Sequence, residues 1–223
     1  MRKCLIIMCA LTAASLLHAG TLSSLGVTLG LANNTFDPGE VDVYNNITQP
    51  YVHGTIATYA SWGQMDILSD TEDGMVDVDV VLEIFWTRSS PNEIPPSHAL
   101  VTYQLGSAGS AYASVSGSTC SGESLANVVI PPSVNRTTTA NQFGVGTDDD
   151  EFVLQWTTDR QVSIPLEPTG DPNVYRGVIT LFEVATIQLQ CESLAVFGNY
   201  HEAYAQADGY VKFKAISAVE EYQ

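Results

Sequence analysis

Val76-Asp77-Val78-Asp79-Val80-Val81-Leu82-Glu83-Ile84-Phe85-Trp86 is the stretch that decides the fold class. Its even-numbered positions are all apolar, whereas three of its odd-numbered positions carry carboxylates. Because successive side chains of a strand point to opposite faces, this alternation predicts a strand with one buried face and one wet face. A wet face is typical of antiparallel sheets, since parallel sheets are usually covered on both sides.

The same alternation recurs along the chain, which predicts further strands in residues 25–31, 101–105, 152–156, 162–166, 185–192 and 211–215. Residues 157–161 have the length of a hairpin loop between two of these runs. The dipeptides Asp73-Gly74 and Asp208-Gly209 predict turns, and residues 192–207 are the segment that could hold one short helix. The sequence therefore predicts an all-β protein with little helix, an antiparallel β-sandwich of the jelly-roll or Ig-like kind.

The N-terminus has the features of a secretory signal peptide. Arg2 and Lys3 precede a mostly apolar run, and Ala19 offers a small residue for cleavage, so residues 1–19 are predicted to be the signal. The remaining residues, 20–223, are predicted to form a single β-sandwich domain. The alternative is two smaller β domains divided in the Gly/Ser/Ala-rich segment 106–122. The predicted location is secreted, periplasmic or on the cell surface, in a bacterium.

Charge excludes some classes of partner. The chain has 8 basic and 25 acidic residues, and all the acidic ones follow the predicted signal. Without Arg2 and Lys3 the formal charge becomes 6 − 25 = −19. Such a surface repels nucleic acid and anionic lipid, so neither is expected as a partner. No later run of apolar residues is long enough to predict a transmembrane segment in the mature chain.

Two cysteines remain after the predicted cleavage, Cys120 and Cys191. Export to an oxidising compartment favours a disulfide between them. The alternative is two separate buried thiols.

No catalytic residue is predicted, because the motifs that carry catalysis or zinc are missing from the sequence. No cofactor is predicted, and calcium is the one that the residues would allow. Asp70, Glu72, Asp73 and Asp77 are close in sequence, and their hard oxygen ligands are those that calcium prefers. The alternative is a turn followed by the wet face of a strand.

Aromatic side chains predict a second kind of site, a platform for stacking sugars. Trp62 stands between Ser61 and Gly63 and is expected to be exposed, whereas Trp86 and Trp156 are in phase with apolar positions and are expected in the core. The residues predicted to bind a ligand are Trp62, Tyr200 and Tyr204. Tyr44 and Tyr51 are two further members of such a patch.

Three functions are weighed on these features. The first is a non-enzymatic, exported β-sandwich that acts as a surface structural or adhesion-type module, with a protein or glycan partner at the cell exterior or with self-association through strand edges. The first alternative is a carbohydrate-binding jelly-roll module stabilised by calcium. The second alternative is a secreted hydrolase of unrecognised type, which needs a cleft where a histidine or two carboxylates converge.

Overall fold

A computed structural model describes residues 20–45, 48–61, 68–196 and 201–222. The predicted fold class is confirmed, since the protein is all-β, with 75% of its residues in strands and two antiparallel sheets packed against each other. Within these described ranges there is no helix that could cross a membrane. The predicted signal peptide, residues 1–19, lies outside them.

The strands in the described part of the chain are β1 (Thr21–Leu22), β2 (Gly26–Ala32), β3 (Val41–Tyr44), β4 (Tyr51–Ser61), β5 (Leu68–Thr87), β6 (His98–Val115), β7 (Ser121–Ile130), β8 (Val134–Phe143), β9 (Gly146–Trp156), β10 (Arg160–Pro165), β11 (Glu167–Pro168), β12 (Val174–Ala195) and β13 (Glu202–Glu221). The first sheet has the order β1-β5-β12-β7-β8, with β2 also pairing β5 and β11 pairing β12. The second sheet has the order β10-β6-β13-β4-β3, with β9 also pairing β6.

The core lies between the four long strands β5, β6, β12 and β13. The even-numbered positions of the stretch 76–86 are fully buried, as the alternation predicts. Trp86 is 0% exposed, its indole N–H donates to Oε1 of Glu220 at 2.8 Å, and its ring meets Tyr175 edge-on at 5.5 Å. Burying each large side chain of this kind contributes about 1.5–3 kcal/mol, so the central strands hold the two sheets together.

A row of three glycines crosses the inner side of the second sheet. Gly54, Gly209 and Gly109 are directly opposite one another on β4, β13 and β6. A Cβ on Gly209 would lie 2.6 Å from Cγ2 of Ile187 in the facing sheet, so the two sheets approach closely here. The prediction of a turn at Asp208-Gly209 is therefore wrong, because this glycine serves close packing inside a strand.

The turn predicted at Asp73-Gly74 is wrong for the same reason. Gly74 is inside β5, and a Cβ there would lie 2.1 Å from the ring of Phe36. Phe36, which is 7% exposed, also contacts the Gly54 position of the facing sheet. The glycine thus makes room for an aromatic side chain that closes one edge of the sandwich.

The predicted hairpin across residues 157–161 is also wrong. Strands β9 and β10 both pair antiparallel with β6, so they follow one another along the same edge instead of pairing together. Thr157 joins them, since its N–H donates to the carbonyl of Leu105 at 2.8 Å and its hydroxyl accepts from the N–H of Leu105 at 3.1 Å. The chain therefore keeps its direction through the short interruption.

The helix expected in residues 192–207 is not present in the described part of that segment, where β12 ends at Ala195 and β13 begins at Glu202. Within the Gly/Ser/Ala-rich segment 106–122, residues 106–115 belong to β6. The division of the chain into domains stays a prediction.

The predicted disulfide is not formed, and Cys120 and Cys191 are free, buried thiols. Cys191 is paired with Ser124 in the first sheet, whereas Cys120 comes just before Ser121. Ser124, the partner of Cys191, is four residues after Cys120, and four residues of extended chain span about 13 Å. A disulfide needs the two Cα atoms within about 7 Å. Burial raises the pKa of the Cys191 thiol to about 12, which keeps it protonated and unreactive.

Candidate functional site

The outer surface of the second sheet is rich in aromatic side chains. Residues at alternate positions of β3, β4, β13, β6 and β9 face outward here, because their neighbours in sequence point into the core. We call this surface the tyrosine face. Its aromatic and histidine members are Tyr44, Tyr51, His53, Tyr59, Tyr112, Trp156, Tyr204 and Tyr210.

Four of these rings form one continuous cluster. Tyr44 stacks on Tyr51 with ring centroids 4.4 Å apart and an angle of 23° between their planes. Tyr51 in turn lies 6.2 Å from Tyr210, which stacks on His53 at 4.1 Å and 6°. The cluster arises from register, since Tyr44 is directly opposite Tyr51 and His53 is directly opposite Tyr210. It groups four stacked or tilted rings on three adjacent strands.

Trp156 extends this cluster across the sheet. Trp156, Gly106, Lys212 and Tyr51 form one transverse row on β9, β6, β13 and β4. A Cβ on Gly106 would lie 3.0 Å from the Trp156 ring, so the glycine leaves room for the indole next to the strand. The expectation that Trp156 is in the core is therefore wrong, because it is partly exposed on the outer side of an edge strand.

A second group of rings occupies the other end of the tyrosine face. Tyr112 and Tyr204 lie 6.1 Å apart in a tilted arrangement, and Tyr59 is directly opposite Tyr204. Tyr59 is 51% exposed and Tyr112 is 37% exposed. Since Tyr204 and Tyr210 are six residues apart on one strand, the two groups are separated by about 20 Å.

Polar groups fill the space between the two aromatic groups, with Asp208 at the centre. Its Oδ1 lies 3.2 Å from Nε2 of His53, and its Oδ2 accepts from the amide of Gln206 at 2.9 Å. Burial acts to raise the pKa of Asp208, but hydrogen bonds from His53, Thr55 and Gln206 outweigh it and lower the pKa. The carboxylate is therefore charged at neutral pH and is held in a fixed position.

The hydroxyls of Tyr44, Tyr204 and Tyr210 keep their protons. Burial and the nearby Asp208 raise the pKa of both Tyr210 and Tyr204. The charge of Asp42, together with slight burial, raises the pKa of Tyr44. The tyrosine face therefore combines ring surfaces with hydroxyl donors and carboxylate acceptors.

The connectivity around Asp208 does not fit a serine nucleophile. Ser110 Oγ donates to Oδ2 of Asp208 at 3.4 Å, and His53 contacts the other oxygen of the same carboxylate. In a catalytic triad the histidine stands between serine and aspartate, because it has to take the proton of the serine hydroxyl. Here the aspartate stands between the other two, so His53 is not placed to take the proton of Ser110.

The three histidines of the described residues do not converge. His53 is opposite Tyr210, His98 is opposite Glu221, and His201 directly precedes Glu202. Along β13, Tyr210 is about 25 Å or more from both Glu202 and Glu221. These three histidines therefore do not share one cleft, and the hydrolase alternative stays a prediction.

The four residues predicted to bind calcium are divided between two faces of β5. Asp73 and Asp77 are on the outer face of the first sheet, where Asp77 accepts from the amide of Asn33 at 2.8 Å. Asp73 lines a shallow groove of about 340 Å³ beside Glu123 and Glu192. Asp70 and Glu72 are on the other face, so the predicted set does not come together as a whole.

Glu72 instead meets two carboxylates that sequence reasoning missed. Oxygens of Asp37, Glu40 and Glu72 lie within 4.8 Å of one another at the edge of the sandwich. The pKa of Glu72 is raised to about 7, chiefly by its hydrogen bond with Glu40 and then by burial and the charge of Glu40. Three hard oxygen ligands suit calcium in kind, but calcium takes six to eight. Calcium binding stays a prediction.

Asp70 and Glu72 also contribute hydrogen bonds that stabilise the fold. Strand β3 covers only the first four residues of β4, so the next N–H groups of β4 lack a strand partner on that side. Asp70 accepts from the N–H of Tyr59 at 3.1 Å, and Glu72 accepts from the N–H of Ala57. Side chains of the first sheet thereby complete the edge of the second.

Of the residues predicted to bind a ligand, Tyr204 lies on the tyrosine face, together with the associated Tyr44 and Tyr51. Trp62 and Tyr200 lie outside the described residues. Sequence reasoning missed His53, Tyr112, Trp156 and Tyr210. Tyr204 and Tyr210 are both at even-numbered positions, so a strand predicted to continue through Asp208-Gly209 would have had both on the same face.

No protein-family model matches the chain, and no curated protein matches it significantly. Among solved structures, the enzymatically active domain of tailspike protein 4 of bacteriophage CBA120 is 11% identical with a TM-score of 0.15, over 72% of this chain and 19% of that one. The CBM22-1–GH10 modules of Clostridium thermocellum endo-1,4-β-D-xylanase 10B, complexed with xylohexaose, are 10% identical with a TM-score of 0.14, over 63% of this chain and 27% of that one. Likenesses this low carry no functional argument.

Proposed function

We propose that the protein is an exported, non-enzymatic β-sandwich that binds glycans on its tyrosine face. The observation that supports this is the continuous cluster of Tyr44, Tyr51, Tyr210 and His53, with ring centroids 4.1–6.2 Å apart on a sheet surface. Binding of this kind is the carbohydrate-binding function weighed on the sequence, and it also serves an adhesion-type module at the cell exterior.

The chemistry of the face matches that of a sugar. A pyranose ring has an apolar side of C–H groups, which stacks on an aromatic ring, and an edge of hydroxyls, which need hydrogen-bond partners. Asp208 offers carboxylate acceptors beside Tyr210, and Gln206 and the tyrosine hydroxyls offer donors. The separation of about 20 Å between the two aromatic groups favours an extended chain of several sugar units over a single sugar.

Affinity electrophoresis against a panel of soluble polysaccharides tests the proposal. At least one polysaccharide should retard the mature protein, and the double substitution Tyr51→Ala with Tyr210→Ala should abolish the retardation. Ligand binding should also change the fluorescence of Trp156, and Trp156→Phe should remove that part of the signal.

A matched control is Phe182→Ala, because Phe182 is an aromatic side chain that is 74% exposed on β12 of the other sheet. Its substitution should leave retardation unchanged. Equal loss of binding in both variants, or no retardation by any polysaccharide, would contradict the proposal. Assembly through strand edges and the location outside the cytoplasm stay predictions.

A further inference from the structure

Both lysines of the mature chain lie at one end of the tyrosine face. Lys212 and Lys214 occupy consecutive outward positions of β13, opposite Gly106 and Gln104. Nζ of Lys212 lies 5.5 Å from the ring centroid of Tyr51, and Nζ of Lys214 lies 5.6 Å from that of Trp156. The rings that would stack a sugar therefore also hold two ammonium groups in place.

Neither lysine has a carboxylate partner within the described part of the chain. The ion pairs found there within 4.0 Å join Arg176 to Glu83 and His53 to Asp208. The chain has 25 acidic residues against 8 basic ones, so partners are plentiful in composition. Two unneutralised cations beside the aromatic cluster are therefore available to an anion of a ligand.

The opposite end of the face has the opposite charge. Asp149 is directly opposite Tyr112, and Glu151 is directly opposite Ser110. A hydrogen bond with Glu202 raises the pKa of Tyr59, and burial is the next largest cause. An anionic group is therefore attracted to the lysine end and repelled from the Tyr204 end, which gives an elongated ligand one direction.

We infer that the glycan is acidic, and that its carboxylate or sulfate group binds between Lys212 and Lys214 while neighbouring sugar rings stack on Tyr51 and Tyr210. This inference rests on the proposed function and specifies its ligand. The overall formal charge of −17 opposes an anion at long range, but salt at physiological strength limits that repulsion to about 8 Å. Direct contact with two ammonium groups acts within that distance.

Calorimetric titrations with two matched pairs of probes test the inference. Oligogalacturonate is compared with its fully methyl-esterified form, and sulfated galactan oligosaccharides with their desulfated forms. At least one acidic probe should bind about tenfold or more tightly than its neutral partner. The pair that shows the difference identifies the anion as carboxylate or sulfate.

Three variants complete the design. Lys212→Gln with Lys214→Gln should remove the preference for the acidic probe, whereas Lys212→Arg with Lys214→Arg should keep it. Arg176→Gln removes one positive charge on the other sheet and should leave the preference for the acidic probe unchanged. Melting temperatures equal to that of the native protein establish that the variants are folded.

Outcomes separate this inference from the proposed function. Equal affinity for acidic and neutral probes, with loss of binding in the Tyr51→Ala and Tyr210→Ala variant, would overturn the inference and leave glycan binding in place. A preference that survives Lys212→Gln with Lys214→Gln would also overturn it. Failure of every polysaccharide and every probe to bind would overturn both.

Discussion

Glu72 keeps its proton at pH values where an ordinary glutamic acid has lost it. Its pKa is raised from 4.5 to about 7, chiefly through the hydrogen bond with Glu40, then through burial and the charge of Glu40. Because the folded pKa is the higher one, the stabilising contribution is complete below 4.5 and is lost as the pH rises through about 7. Ionisation of this residue therefore destabilises the protein in neutral and alkaline solution.

We expect Glu72→Gln to raise the free energy of unfolding, with a gain that grows between about pH 5 and about pH 8. The amide keeps a donor for Glu40 without adding a charge. The gain should be about 1 kcal/mol at the upper end, since solvent screening weakens the effect at a half-exposed site. Thermal melts in EDTA measure it, because a chelator excludes any contribution of a bound cation.

Glu192→Gln provides the control for this measurement. Glu192 is exposed on the outer face of the first sheet, so the loss of its charge should have a small effect that does not follow the same pH range. A gain for Glu72→Gln that is the same at all pH values would contradict the assignment. A melting temperature that rises with calcium in the native protein but not in this variant would identify Asp37, Glu40 and Glu72 as a calcium site.

At the scale of single elements, the junction of β8 and β9 shows how the two sheets are joined at one edge. These strands belong to different sheets and are connected by a short turn. Arg136 of β8 donates from Nη1 to the carbonyl of Val153 at 2.8 Å, and its guanidinium lies 4.7 Å from the ring centroid of Phe152. A side chain thus replaces part of the missing ladder between the two strands.

Arg136→Gln should therefore lower the free energy of unfolding by about 1–2 kcal/mol, through loss of a charge-assisted hydrogen bond and a cation–π contact. Arg176→Gln is the matched control. The side chain of Arg176 is 54% exposed and that of its partner Glu83 is 39% exposed, so this ion pair contributes about 1 kcal/mol or less. Urea unfolding at constant pH measures both. Equal losses would contradict a special role for Arg136.

The elements that sequence predicts well are those in which alternation and burial agree. In β5 the even-numbered apolar positions of 76–86 are buried and the carboxylates between them face outward, as expected. The errors come from glycine. Sequence alone does not distinguish a glycine that turns the chain from one that admits a neighbouring side chain, and Gly74 and Gly209 are of the second kind.

The candidate site was only partly predictable for a related reason. The tyrosine face depends on register between strands that are far apart in sequence, such as His53 opposite Tyr210 and Trp156 opposite Gly106. Alternation assigns a face to a residue within its own strand, but pairing of distant strands decides which residues share a neighbourhood. The same limit explains why Asp37 and Glu40 were not grouped with Glu72.

At the scale of the whole molecule, repulsion between carboxylates outweighs attraction. The formal charge of the chain is −17, and in the described ranges the Arg176–Glu83 pair and the His53–Asp208 pair are the ion pairs present. Most carboxylates therefore add to a field that opposes the compact state. Salt should weaken this field, since the screening length falls from about 30 Å at about 0.01 M to about 3 Å at about 1 M.

We expect the melting temperature to rise as sodium chloride is increased from about 0.01 M to about 0.5 M, by roughly 2–4 °C for each kcal/mol of repulsion removed. Potassium chloride should have the same effect, because screening depends on ionic strength. The exposed pair Asp149 and Asp150 of β9 offers a direct test. Asp149→Asn with Asp150→Asn should raise the melting temperature at low salt and reduce its dependence on salt. A melting temperature that is constant or falls with added salt would mean that packing, and not charge, limits the stability of this sandwich.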